Sequence, residues 1–131
     1  MVHSEVFFSP DTPGSSAYID RAFVTYSNNA KHELLNVKHD TLEQFGAVSE
    51  QTVIEMAAGA CKAASADIAI AISGIAGPGG ATEDKPVGLV WFGLQINGKH
   101  WTFEQVFDGD RAQVRLQAIV FSLKSIIEKI K

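Results

Sequence analysis

The 131-residue sequence is poor in the features that define several large classes of protein. Its single cysteine, Cys61, excludes a disulfide within the chain, and this predicts a reducing, cytoplasmic setting. No apolar run approaches the ~20 residues of a membrane-spanning helix. Residues 1–16 lack the basic start and apolar core of a secretory signal. We therefore expect a cytoplasmic protein that has no membrane partner.

Basic charge and metal-ligand patterns are also scarce. Eleven Lys and Arg stand against fifteen Asp and Glu, a net charge of −4 with no basic run, so no nucleic-acid partner is expected. Neither a metal nor another cofactor is expected, because no Cys or His pair has the spacing of metal ligands. The four scattered histidines are His3, His32, His39 and His100. The length predicts one domain, residues 1–131.

What the sequence does contain is a succession of strand and helix patterns. Residues 17–27 have the β-branched and aromatic content of a strand, and DIAIAIS (67–73) has the apolar run of a strand covered on both faces. Residues 86–96 and 99–107 flank Asn97-Gly98, which is a strong hairpin signal. Helical patterns cover 30–35, 41–45, 50–64 and 111–131. Together, these strand and helix patterns predict an α/β domain with a mixed β-sheet flanked by helices, in at most three layers.

A glycine-rich loop, SGIAGPGGATEDKPVG (73–88), directly follows the apolar strand. Glycine costs backbone entropy on folding, so a cluster of it needs a conformational or contact reason. The loop leads into a strand and contains no Gly-Lys-Ser/Thr, so it is neither a dinucleotide-binding turn nor a P-loop. Two interpretations stay open: backbone N–H groups that hold an anion or oxyanion, or a tight connection between strands.

Four stretches of the chain resemble the CinA C-terminal domain family of bacterial competence/damage-inducible-type proteins. SGIAGPGGATEDKPVGLVWFG resembles the family signature, and TPGSSAYIDRAFVTYSNNAKHELLNV carries a Tyr-Ser-Asn-x-x-Lys motif. FGAVSEQTVIEMAAGA is similar to the helix that follows, and FDGDRAQVRLQAI to the opening of the last helix. Together these stretches cover about residues 12–125 in the family's order. The resemblance implies the family's three-layer α/β fold.

The resemblance also implies an activity, the hydrolysis of the carboxamide of nicotinamide mononucleotide to a carboxylate with release of ammonia, as in NAD salvage. The implied chemistry is a serine nucleophile activated by a neutral lysine, with Lys31 as the base and Tyr26 as its companion. From the residues alone, a solvated Lys31 stays open, as do ion pairs of the arginines with nearby aspartates. The groups implied to bind substrate, oxyanion or phosphate are Ser73, Gly74, Gly77, Gly79, Gly80, Arg111 and Arg115.

The chain departs from the family at its start. The family's serine lies in an N-terminal helix that opens with Glu-Ser-Cys-Thr-Gly-Gly; this motif is absent, and residues 1–11 stand in its place. Ser4 and Ser9 lie upstream of the resemblance but outside any such motif. Three hypotheses remain: an active amidohydrolase, a non-catalytic nucleotide-binding or regulatory module, and a subunit that borrows the serine of a full-length paralogue. An uncovered apolar face would favour a homo-oligomer.

Overall fold

The structure, a computed structural model, describes residues 19–131. Predictions that concern Ser4, Ser9 and the rest of residues 1–18 lie outside the described residues. The elements follow one another as α1 (Asn28–Leu35), α2 (His39–Phe45), α3 (Glu50–Ala64), β1 (Ile68–Gly74), β2 (Leu89–Ile96), β3 (Lys99–Val106) and α4 (Arg111–Ile130). Within this part of the chain no helix is both long and apolar enough to cross a bilayer.

The three strands form one sheet in the order β1-β2-β3. The glycine-rich loop joins β1 to β2, and the Asn97-Gly98 turn joins β2 to β3. Both turn residues have positive φ, 48° and 84°, which a two-residue hairpin turn of this kind requires. The α/β class is confirmed, but the described strands pair antiparallel throughout and not as a mixed sheet. The reason is that both connections are loops, whereas a parallel pair needs a long crossover.

Helices cover both faces of the sheet and produce three layers. On one face, Ala71 of β1 packs in a cluster with Val53 and other residues of α3. On the opposite face, Ile70 and Phe92 pack with Val114 of α4. Because successive strand residues point to opposite faces, β1 is apolar at nearly every position. The prediction of a strand covered on both faces is confirmed.

The strand predicted at 17–27 is wrong for its described residues. Residues 19–26 have no regular secondary structure. Phe23 packs against the cluster under α3, and Thr25 is completely buried. β-branched and aromatic residues fit a strand only where a neighbouring strand supplies pairing partners, so their content alone was misleading. The segment instead leads directly into α1.

Helix α4 has apolar side chains on two opposite sides. Its sheet-facing side buries small residues, among them Ala118, Ser122 and Ser125. The two serine hydroxyls can be buried because they donate to the carbonyl oxygens four residues earlier, at 2.8 Å each. The other side, which we call the outer stripe, is 40–62% exposed and consists of Leu116, Val120, Leu123, Ile127 and Ile130.

Cys61 lies on α3 and is 7% exposed. Burial, and secondarily the nearby charge of Asp67, raises the pKa of its thiol. The thiol therefore stays protonated and behaves as a small apolar side chain, as free cysteines in cores usually do.

Candidate functional site

Helix α1 carries the lysine of the Tyr-Ser-Asn-x-x-Lys motif. Ser27 caps the helix, since its Oγ accepts a hydrogen bond from the Ala30 N–H at 2.9 Å. Asn36 ends it in the left-handed conformation, with φ 57°. Lys31 lies one turn after the cap, and its side chain is 0% exposed. Its Nζ donates to the carbonyl oxygen of Thr25 at 2.7 Å.

Burial changes the acidity of Lys31. It lowers the pKa of the ammonium group from 10.5 to about 8, because the charged form loses its hydration inside the protein. Its hydrogen-bond acceptor is a neutral carbonyl group, which does not replace that hydration. With this pKa, about a tenth of the molecules carry a neutral amine at pH 7. Lys31 therefore has the property that a lysine general base requires.

Tyr26, the predicted companion of Lys31, lies between Thr25 and the helix cap Ser27 in the sequence, and its side chain is 50% exposed. The two residues of the predicted pair thus differ in their access to solvent. The tyrosine lies at the surface where α1 begins, and the lysine lies inside.

Ser73 and Gly74 end strand β1 at the start of the glycine-rich loop. Ser73 is 0% exposed, and its Oγ donates to the carbonyl oxygen of Ala47 at 2.7 Å. This bond ties β1 to the connection between α2 and α3. A Cβ at position 74 would lie 2.7 Å from a Val90 methyl carbon, so glycine there is explained by strand packing. Binding of substrate by either residue stays a prediction.

The other three predicted glycines differ in their backbone conformation. Gly77 and Gly80 have positive φ, 83° and 93°, which a residue with a side chain seldom adopts. Gly79 has no such φ, and a Cβ there would meet nothing within 4 Å. Neither conformation nor packing explains glycine at this position. The open space beside Gly79 leaves its backbone accessible to an approaching group.

Basic side chains fasten the loop near both of its ends. Arg111, the first residue of α4, donates from Nη1 to the Gly77 carbonyl at 3.0 Å. Lys85 donates from Nζ to the Phe45 carbonyl at 2.7 Å. The structure thus brings Arg111 together with the loop that the sequence predicts as a binding element. Arg115 lies one turn further along α4 and is half-buried.

No described hydrogen bond joins Lys31 to the glycine-rich loop, so the predicted residues fall into two groups. One is Lys31 with the segment before α1, and the other is the loop with Arg111. Within residues 19–131 no group of three or more His, Cys, Asp or Glu side chains could hold a metal ion.

Sequence reasoning missed Thr25. It is 0% exposed, and its Oγ1 is the one buried side-chain oxygen or nitrogen in residues 19–131 without a hydrogen-bond partner. A signal was available, because Thr25 is a polar residue that directly follows the apolar run AFV (22–24) and directly precedes the lysine motif.

The chain is similar to proteins of one family along most of its length. The CinA C-terminal domain matches residues 8–130. Nicotinamide-nucleotide amidohydrolase PncC of Enterobacter agglomerans is 59% identical over 120 residues, which cover 91% of this chain and 73% of the relative. The protein of the same name from Escherichia coli K12 is 53% identical over 117 residues, covering 88% and 71% of the two chains.

A solved structure agrees with these sequence matches. The competence/damage inducible protein CihA of Agrobacterium tumefaciens superposes with a TM-score of 0.88 at 43% sequence identity, covering 92% of this chain and 74% of that one. Fold and sequence therefore lead to the same conclusion: this chain belongs to the CinA C-terminal domain family.

Proposed function

We propose that the chain is a nicotinamide-nucleotide amidohydrolase domain, which converts nicotinamide mononucleotide to nicotinate mononucleotide and ammonia. The observation that carries this proposal is Lys31, a completely buried lysine with a pKa of about 8 in the family's Tyr-Ser-Asn-x-x-Lys motif. The names of two relatives, at 59% and 53% identity, support the substrate class. The resemblance supports a cytoplasmic role in NAD salvage.

In this proposal Lys31 transfers protons. Its neutral amine removes the proton from an attacking hydroxyl, which adds to the carboxamide carbon. The resulting ammonium then protonates the leaving nitrogen, which departs as ammonia. Water attacks the ester that is left, with the same amine as base, and releases the carboxylate. Tyr26 would assist at the edge of the site.

The nucleophile is proposed to be a serine in residues 1–18. Several serines in the described part already donate their hydroxyl protons to backbone carbonyls: Ser49, Ser73, Ser122 and Ser125. Ser27 serves as the cap of α1. Ser9 and Ser4, which lie upstream of the family resemblance, are the first candidates for replacement.

The glycine-rich loop and the arginines are proposed to bind the substrate. Amide groups at Ser73, Gly74, Gly77, Gly79 and Gly80 would hold the oxyanion or the nucleotide. The open space at Gly79 supports close approach. Arg111 donates one N–H to the Gly77 carbonyl, which places its guanidinium at the loop. Arg111 and Arg115 are proposed to bind the phosphate, because guanidinium groups suit phosphate best.

The direct test is ammonia release from nicotinamide mononucleotide by the purified chain. Lys31→Met is expected to lower the rate by roughly a hundredfold or more, the size of effect that a general base contributes. Lys62→Met, at an exposed lysine on α3, is the matched control and should keep the wild-type rate. Equal rates for Lys31→Met and the wild type would refute the assignment of the base.

A second candidate is a domain that binds the nucleotide without turnover. Its support is the glycine-rich loop with Arg111, which could bind the nucleotide without a nucleophile. It predicts that nicotinamide mononucleotide raises the melting temperature while no ammonia appears. Ammonia release only after mixing with a full-length relative would instead support a subunit that borrows a serine.

We also propose that the chain forms a homo-oligomer. The support is the outer stripe of α4, five large apolar side chains that are 40–62% exposed. A continuous apolar surface of this kind is unusual on a monomer.

A further inference from the structure

Thr25 holds a polar group for which the described part of the chain supplies no partner. Its side chain is 0% exposed, and Oγ1 makes no hydrogen bond within residues 19–131. Thr52, equally buried, donates its Oγ1 to the Gly46 carbonyl at 2.7 Å. Buried polar side chains are nearly always paired, because an unpaired one loses its hydration without compensation. The Thr25 hydroxyl therefore points to a partner outside the described residues.

The position of Thr25 relative to Lys31 indicates which kind of group that partner is. The Thr25 carbonyl accepts the hydrogen bond from Lys31 Nζ at 2.7 Å. Thr25 thus holds the amine through its backbone carbonyl and carries, on its own Cβ, a hydroxyl that has no partner in the described residues. Any group that reacts with the help of Lys31 must come close to this residue.

The chemistry of a hydroxyl matches one part of a nicotinamide nucleotide better than the others. A hydroxyl both donates and accepts, and a carboxamide offers an oxygen acceptor and N–H donors. A phosphate offers acceptors and favours cationic partners such as Arg111. The carboxamide is also the group on which Lys31 would act.

We propose that Thr25 Oγ1 hydrogen-bonds the carboxamide of the bound nicotinamide nucleotide. This inference rests on the proposed function, and it adds a substrate-contacting residue that orients the reacting group beside Lys31.

The test measures the Kd of nicotinamide mononucleotide by calorimetry for the wild type and for Thr25→Val, which keeps the shape of the side chain and removes the hydroxyl. If the chain turns the substrate over, kcat/KM replaces the Kd. We expect Thr25→Val to weaken binding roughly tenfold to a hundredfold, the effect of losing a hydrogen bond to a buried polar group. Thr25→Ser, which keeps a hydroxyl, should restore most of the affinity.

Two controls separate contact with the carboxamide from general damage. The pyridine ribonucleotide without the carboxamide should bind the wild type and Thr25→Val equally. Thr52→Val removes a paired buried hydroxyl, so it should lower the melting temperature and leave the Kd unchanged. Thr25→Val should melt no lower than the wild type, because the hydroxyl that it removes is unpaired.

Each contrary result has its own meaning. Unchanged affinity in Thr25→Val overturns this inference and leaves the proposed function standing. Equal losses for the nucleotide with and without the carboxamide also overturn it, because the contact would then lie elsewhere. A melting temperature lowered as in Thr52→Val, at unchanged Kd, would assign the hydroxyl to an internal partner. A wild-type chain that binds no nicotinamide mononucleotide overturns the inference and the proposed function together.

Discussion

Lys31 combines two properties that are rare for a lysine: its side chain is completely buried, and within residues 19–131 the described hydrogen bond of its Nζ goes to a neutral carbonyl. Lysines are among the residues least often buried. The fold therefore accepts an unfavourable charge at a fixed position on α1. This arrangement is useful for chemistry because a pKa of about 8 leaves about a tenth of the Lys31 amine neutral at pH 7, and it gives folding a dependence on pH.

The pH dependence has a defined sign. The folded chain releases the Lys31 proton at about pH 8, and the unfolded chain at 10.5. Between these values the unfolded state binds more protons, so raising the pH across this window favours the folded state. From about pH 7.5 to about pH 9.5 the free energy of unfolding should increase by on the order of 1 to 2 kcal/mol relative to Lys31→Met.

Urea denaturation of both proteins at the two pH values checks this prediction. Lys31→Met serves as the reference because it cancels the contributions of all other titrating groups. Parallel pH dependences of wild type and variant would show that Lys31 is solvated in the folded chain.

At the scale of elements, the contact between α1 and α3 depends on Gly59. A Cβ at this position would lie 1.8 Å from the carbonyl oxygen of Leu35, the last residue of α1. The backbones of the two helices therefore touch, and this contact holds the helix that carries Lys31.

Gly59→Ala should destabilise the chain by about 1–3 kcal/mol, the usual effect of overpacking. The sign is informative, because alanine in an uncrowded helix position would stabilise by about 1 kcal/mol. Gly79→Ala is the control, since a Cβ there meets nothing within 4 Å, and should change stability by less than about 0.5 kcal/mol. Thermal denaturation measures both, and a Gly59→Ala variant as stable as the wild type would contradict the close contact.

At the scale of the whole molecule, the described fold leaves the five large apolar side chains of the outer stripe of α4 exposed. Its members recur at alternating spacings of four and three residues, from Leu116 to Ile130. This spacing is typical of a helix that packs along another helix. A second copy of the chain offers such a helix.

Replacing both Leu123 and Ile127 by Gln should convert the proposed oligomer to a monomer, because the two residues lie at the middle of the stripe. Light scattering coupled to size exclusion measures the mass. Val106→Gln, at an apolar residue of β3 that is 57% exposed, is the matched control and should keep the oligomer. A monomeric wild type would exclude self-association through α4.

Sequence predicted those parts of the molecule that local chemistry decides. The hairpin follows from Asn97-Gly98, and the covered strand from its continuous apolar run. The pairing of strands and the direction in which each side of a helix points were harder to predict from the sequence. Residues 19–26 have strand-like composition but no strand. On α4 the apolar stripe from Leu116 to Ile130 is exposed, while the opposite side, with Val114 and Phe121, packs toward the sheet. Because α4 is apolar on two opposite sides, the spacing of its apolar residues does not reveal which side faces the sheet.

The candidate site shows the same division. The motif resemblance identified Lys31, but only the structure shows its burial and its bond to Thr25. Thr25 was missed because it stands out only through its buried hydroxyl, which has no hydrogen-bond partner in the described residues, and hydrogen-bond partners are not visible in a sequence. The loop glycines were predicted as one group, whereas the structure separates those needed for packing or positive φ from Gly79.

The buried thiol of Cys61 makes the chain unusually convenient for site-specific labelling. It is the single cysteine of the sequence, and its raised pKa keeps the reactive thiolate scarce. A cysteine introduced at Gly79, where a side chain meets nothing within 4 Å, would be the one thiol that a maleimide dye or a spin label modifies readily. A fluorophore or spin label at this position would report on the surroundings of the glycine-rich loop, next to the backbone proposed to contact the substrate.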